Sequence, residues 1–193
     1  MDPINIIIGL NIIATLGANV SGAKKGLKSK ISVAKEKPQT YLQKTPLLIS
    51  TLTLIVLIIS LFQIGTLEYT DEYNILRIVA LVAYIMFSWL QIWAYKSLGE
   101  NYSQEILIFR THKIVNKGLY RVIRHPQYLS QIIIDFAAAF ATLSYILLPL
   151  AIIQLPILIL RASFEEKLLE KHLKQDFIDY KSKTSFIFPL PKF

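Results

Sequence analysis

Cysteine is absent from this chain of 193 residues. That excludes disulfides, thiolate-bound metals, iron–sulfur centres and a thiol nucleophile, and equally excludes prenylation or palmitoylation of the chain itself. Histidine is almost as scarce: the three present are well separated and none belongs to an H-x-x-x-H pattern, so no metal site is expected. Glycine is scattered, with seven residues and no G-x-G-x-x-G or P-loop spacing. Strand and helix patterns do not alternate either, which excludes a Rossmann nucleotide site. Acidic residues are outnumbered 13 to 21 by Lys and Arg, for a net charge of +8.

What is abundant is hydrocarbon. Hydrophobic residues make up 53% of the chain and are gathered into long runs instead of being spread at amphipathic spacing. This is the pattern of an integral membrane protein. The chain has the length of one domain. Its basic residues lie in the segments flanking the apolar runs, so they orient the protein in a bilayer and do not point to nucleic acid.

In chain order the first apolar run covers residues 3–20. No basic residue precedes it and seven lysines follow between Lys24 and Lys44, which reads as an uncleaved helix with its N-terminus outside, not a signal peptide. Asn5, Asn11 and Asn19 point to contacts with other helices. Residues 22–45 form a basic connector, in part helical, and 46–65 a strong membrane helix with Pro46 at its start. The loop 66–73 carries Glu68, Asp71 and Glu72 and no basic residue. Residues 74–98 form a third helix ending in Phe87, Trp89, Trp93 and Tyr95, an interfacial belt. Residues 127–148 form a fourth helix containing Asp135. A fifth run, 149–160, contains Pro156 and is expected to kink or make a shallow hairpin, with helical continuation through Ser163 bringing it close to spanning length. Residues 164–183 are amphipathic, with Phe164, Leu168, Leu169, Leu173 and Phe177 on one face, and are expected to lie on the bilayer surface. The tail, SFIFPLPKF, should pack back on the core or the membrane.

The expected fold is therefore all-α: a polytopic membrane protein with about five transmembrane helices and no Rossmann domain. Residues 1–98 supply three helices and the basic connector, and 99–193 a C-terminal catalytic region. Of the 21 Lys and Arg, seven lie in the first loop, six between Lys96 and Arg124, seven from Arg161 onward, and only Arg77 lies elsewhere. Five helices with the N-terminus outside place all three basic regions, and the C-terminus, on the cytoplasmic side.

Two polar clusters interrupt the apolar pattern. In His125-Pro126-Gln127-Tyr128 the proline suits a first helical turn, so His125 stands at a helix N-terminus, where free N–H groups favour an anion. The same residues also read as an interfacial basic and aromatic belt. His112-Lys113-Ile114-Val115, followed by a turn at Gly118 and then Tyr120, fits a pocket floor or an ordinary surface loop. Arg161 and Glu165 share a helix face. They make either a simple ion pair or a functional charge at the end of an apolar run. Asp135 fits a helix–helix hydrogen bond or a protonated acid facing the bundle.

Taken in order, L-G-x-x-Y-S, H-x-[IL]-V-x-x-G-x-Y-R-x-[VI]-R-H-P-x-Y-L-S, an apolar hairpin and R-A-x-x-E-E resemble the isoprenylcysteine carboxyl methyltransferases and the related phospholipid methyltransferases. The resemblance spans residues 98–180. It implies S-adenosylmethionine as methyl donor, S-adenosylhomocysteine as product and a cytoplasmic-side site. It implies cofactor contacts at His112, Lys113, Ile114, Val115, Tyr120, His125, Pro126, Gln127, Tyr128 and Glu165, with Glu105 a further candidate. Arg161 is implied to orient the substrate carboxylate, and no metal is implied. On this assignment His125 and the helix-start N–H groups take the cofactor carboxylate and Glu165 its ammonium or a ribose hydroxyl. Ile114, Val115 and the tyrosine rings hold the adenine. The acceptor is a lipid-linked one, a prenylcysteine or a prenylated protein C-terminus, entering sideways from the bilayer. Methylation of a phospholipid amine is the alternative. A sterol-reductase-like oxidoreductase and a non-enzymatic membrane protein rank lower.

Overall fold

The computed structural model describes residues 2–28 and 34–189, with side chains described at all of these except 19–28 and 100. Five helices carry the fold: α1 (Pro3–Lys28), α2 (Thr45–Ser60), α3 (Asn74–Leu98), α4 (Pro126–Ala141) and α5 (Leu147–Lys183). A short antiparallel pair, β1 (Ala34–Glu36) and β2 (Ile108–Phe109), was not expected for an all-α chain. It ties the basic connector to the loop that follows α3, and Glu36 is held in turn by Lys171 at 2.8 Å and His172 at 2.6 Å.

The helices alternate in direction. Asp2, at the start of α1, pairs with Arg77 near the start of α3, whereas Tyr95 near the end of α3 donates to the carbonyl of Ala18. The α3–α4 contact is the most extensive, with α1 on α3 and both α2 and α4 on α5. Small side chains at Ala137, Ala138, Ala139 and Ala141 let α4 pack close against Leu81 and Tyr84 of α3. The described parts of the three basic segments consequently lie at one end of the bundle, and Glu68, Asp71 and Glu72 follow α2 toward the other.

Large apolar side chains are exposed along α1 (Leu10, Ile13), α2 (Leu48, Leu52), α3 (Ile75, Val79, Trp89, Trp93) and α5 (Ile152, Leu160). A surface this apolar over several helices suits lipid, not water. Among the described residues, three segments are long and apolar enough to cross a membrane: Tyr41–Ser60, Asp71–Leu98 and Leu147–Lys183. The apolar part of α1, Pro3–Ala18, is shorter. The fourth helix also stops sooner than expected, at Ala141 and not at 148. At 16 residues it is about 24 Å long, less than the apolar core of a bilayer.

Its early stop is possible because the turn to α5 is sealed inside protein. Arg77 Nε donates to the Ala141 carbonyl at 2.9 Å, Tyr69 to that of Thr142 at 3.1 Å, and Ser60 bonds Ser144 at 3.0 Å. Backbone that leaves a helix in an apolar medium must find such partners. Asn5 joins this cluster through the Leu61 carbonyl and Tyr69, as its placement suggested; Asn11 is buried, and the Asn19 side chain lies outside the described residues.

Two expectations about the C-terminal part need correction. Pro156 does not interrupt α5, which runs on from Leu147 through Arg161 into the amphipathic stretch; the one non-helical residue inside it is Lys174 (φ 48°). The stretch expected to start a separate surface helix at 164 thus continues the fifth helix as far as the kink at Lys174, so that Arg161 and Glu165 lie on one continuous helix. The tail does pack back. Residues 184–187 run beside 122–125, with Arg124 N–H donating to the Ser185 carbonyl at 2.9 Å and His125 N–H to that of Phe186 at 3.2 Å. Tail residues 190–193 lie outside the described residues.

Candidate active site

The chain leaves α3 through Gly99 and forms a loop up to α4. Within it a single-turn 3-10 helix, Gly118–Arg121, starts at a positive φ of 55°. A Cβ at Gly118 would press on the Trp93 ring at 3.3 Å. The turn buries Tyr120, and burial pushes its hydroxyl well above the usual tyrosine range. Pro126 then opens α4, with His125 as its N-cap and no side-chain cap on the first N–H groups.

Under this loop lies a cavity in two lobes. The more polar lobe, about 130 Å³, is lined by Glu105, His112, Tyr120, Gln127, Tyr128 and Glu165 among others. The more apolar lobe, about 70 Å³, is lined by Lys113, Ile114, Val115, Leu173 and Phe177. Both share Leu98, Asn101, His112, Tyr120, Arg124, His125 and Leu169. His112 stacks on Phe109, its Nδ1 is buried without a hydrogen-bond partner in the protein, and burial holds its pKa below the usual 6.5. Of the residues singled out from the sequence, all reach one of these lobes except Pro126, which is buried at the helix start, and Arg161.

Arg161 lies on the far side of Tyr128. It lines a separate cavity of about 350 Å³ between α2, α3, α4 and α5, with Ser50, Leu54, Gln91, Gln131 and Leu158. That cavity and the polar lobe share a wall, made of Ser103, Gln127 and Tyr128. The Tyr128 hydroxyl donates to Glu165 on one side and accepts from Arg161 Nε at 2.9 Å on the other; Arg161 and Glu165 are 3.3 Å apart. The guanidinium also straps in the carbonyls of Leu42 and Gln104. These contacts use three of its five N–H groups and leave one on each terminal nitrogen.

Two residues essential to this geometry lay outside the sequence-based set. Glu166 accepts from Arg124 Nε at 2.5 Å and sits 3.2 Å from His125 Nε2, so the His125 ring is already held by a carboxylate. Arg124 also binds the carbonyls of Lys181 and Thr184 at the end of α5. The signal was present, since R-H-P and E-E each contain one of the pair, but neighbouring charges on a helix read equally well as solvated.

Residues 78–171 match the Isoprenylcysteine carboxyl methyltransferase (ICMT) family. The likeness to this family covers just under half of the chain. The match takes in α3, the cavity loop, α4 and α5 through Arg161, Glu165 and Glu166. No curated protein matches the chain.

Proposed function

We propose that the chain is a membrane methyltransferase that transfers a methyl group from S-adenosylmethionine to the C-terminal carboxylate of a prenylated cysteine. The observation that carries this reading is the shared wall. A loop-covered cavity and a cavity between helices meet at Tyr128, with Glu165 on one face and Arg161 on the other.

The two-lobed cavity suits the donor. Ile114, Val115 and Phe177 offer an apolar slot for an adenine. Glu165 is the carboxylate for an ammonium or ribose hydroxyl, and the uncapped N–H groups of α4 favour a carboxylate. His112 Nδ1, buried and unpartnered, is a hydrogen-bonding group directed to no protein atom. When bound, S-adenosylmethionine supplies an electrophilic methyl group on a sulfonium.

The acceptor carboxylate is ionised at neutral pH and needs no base. Arg161 would orient it with its two remaining N–H groups, beside Tyr128, where the two cavities meet. Methylation of an amine requires a proton acceptor, whereas the acceptor-side cavity is lined by the Arg161 guanidinium and by no carboxylate among the described residues. The basic end of the bundle, and the site with it, is assigned to the cytoplasmic side.

The test is binding of S-adenosylhomocysteine to the detergent-solubilised protein, then transfer of labelled methyl to N-acetyl-S-farnesylcysteine. The expected product is a base-labile ester. Glu165→Gln should weaken S-adenosylhomocysteine binding about tenfold, as loss of a charged hydrogen bond does. Absence of binding overturns the reading, and a base-stable methylated phospholipid amine replaces it with the alternative.

A further inference from the structure

The two carbonyls that grip Arg161 come from segments far from it in sequence. Its Nη1 donates to Leu42, in the connector before α2, at 3.3 Å, and its Nη2 donates to Gln104, in the loop after α3. A guanidinium is planar, and what its N–H groups bind sets its direction. The pose of Arg161 therefore depends on how these two segments sit against each other. Leu42 and Ile106 are both buried and pack with Leu168, two turns past Arg161 on α5. Apolar contact of this kind holds the segments together but does not fix their register.

The pairing of β1 with β2 joins the segments at one point, and Gln43 joins them beside Arg161. Gln43 Oε1 accepts from the Ile106 N–H at 2.8 Å, and its Nε2 donates to the Ile106 carbonyl at 2.8 Å. One side-chain amide thus holds both backbone groups of one residue. Nε2 also donates to the Pro38 carbonyl at 3.0 Å, so both N–H groups and the carbonyl of this amide are in use. Gln43 adjoins Leu42, and Ile106 lies two residues past Gln104. The staple therefore closes next to the two carbonyls that hold the guanidinium. Gln43 itself lines neither lobe of the loop-covered cavity nor the cavity between the helices.

We propose that Gln43 is a positioning residue for the acceptor. It fixes the Leu42 and Gln104 carbonyls and, through them, the direction of the Arg161 guanidinium. The inference rests on the reading of Arg161 as the group that holds the acceptor carboxylate. It adds that the connector before α2 is part of the acceptor site.

The test is binding to the full-length protein in detergent with saturating S-adenosylhomocysteine, so that no turnover occurs. The probes are N-acetyl-S-farnesylcysteine and its methyl ester, which keeps the lipid but not the charge. Gln43→Leu should weaken binding of the acid about tenfold and leave the ester and S-adenosylhomocysteine within about twofold of wild type. In an Arg161→Ala background the same substitution should cost nothing more, because residues that act through one another are not additive. Equal losses on acid and ester, or a parallel loss of S-adenosylhomocysteine affinity, would make Gln43 a general staple of the fold and overturn the proposal. So would unchanged affinity for the acid, or losses that add to those of Arg161→Ala. An Arg161→Ala variant that binds the acid as wild type does overturns the reading of Arg161 and this inference with it.

Discussion

A buried imidazole facing a cavity makes a prediction that does not depend on catalysis. Burial lowers the pKa of His112 from 6.5, so the folded protein disfavours its charged form. The unfolded chain then binds the proton more readily. The resulting stability is fully present above pH 6.5, is lost as pH falls from there to the folded-state value, and changes no further below it. His112→Gln removes this dependence. Thermal unfolding in detergent between pH 5 and 8 should therefore show wild type losing stability relative to His112→Gln on the acid side; parallel curves refute the assignment. At this scale the sequence was most informative where a residue type had few other uses. His112 lines the cavity with Ile114 and Val115, His125 and Pro126 stand at the start of α4, and Tyr128 lies between the two cavities. Arg124 and Glu166 did not stand out, because their value comes from pairing across 42 residues with each other and with α5 carbonyls. A one-dimensional pattern shows neither.

The elements were legible where hydrophobic periodicity ended in an ordinary helix stop. The third helix begins and ends where the pattern places it. The fourth was read too long because residues 141–148 contain neither glycine nor proline, and the first such residue is Pro149. The chain turns there at Thr142 and at Leu143, which has a φ of 49°, and it can do so because Arg77 and Tyr69 satisfy the freed carbonyls. Arg77, the one basic residue outside the three basic segments, thus belongs to the fold. Its guanidinium is 2% exposed, reaches Asp2 at 2.6 Å and covers the Tyr69 ring at 3.6 Å. Asp2→Ala leaves that charge without its carboxylate; because Asp2 is itself partly exposed and Arg77 keeps the Ala141 carbonyl, the cost is about 1–2 kcal/mol, below that of a fully buried pair. Resistance to denaturant should drop accordingly. Because this cluster sits at the far end of the bundle, the folded variant should bind S-adenosylhomocysteine as wild type does. A matching loss of affinity would show the two ends to be coupled.

Across the whole molecule the site is assembled from segments far apart in the chain. The connector brings Leu42 to Arg161 and β1 to β2; α5 brings back Arg161, Glu165 and Glu166; and the tail closes the far side. There Ser185 and Phe186 hold the backbone of Arg124 and His125, and the Phe186 ring meets His125 edge-on at 5.3 Å. Ile187 is 1% exposed and packs with Ile123 and Ala162. An apolar tail of this kind reads from sequence as a contact with either the core or the membrane, and the pattern does not show that it holds the backbone of residues 122–125. Deleting residues 184–193 should leave the packing of α1–α4 intact, since their mutual contacts do not pass through the tail. It should also free the Arg124 and His125 backbone and expose Ile123. The expected result is a helical protein, by circular dichroism in detergent, whose amides around 122–125 exchange quickly and whose affinity for S-adenosylhomocysteine falls at least tenfold. Rapid exchange throughout α3 and α4 would mean that the tail supports the entire bundle. Unchanged affinity would mean that the loop holds its shape through Glu166 and Arg124 alone.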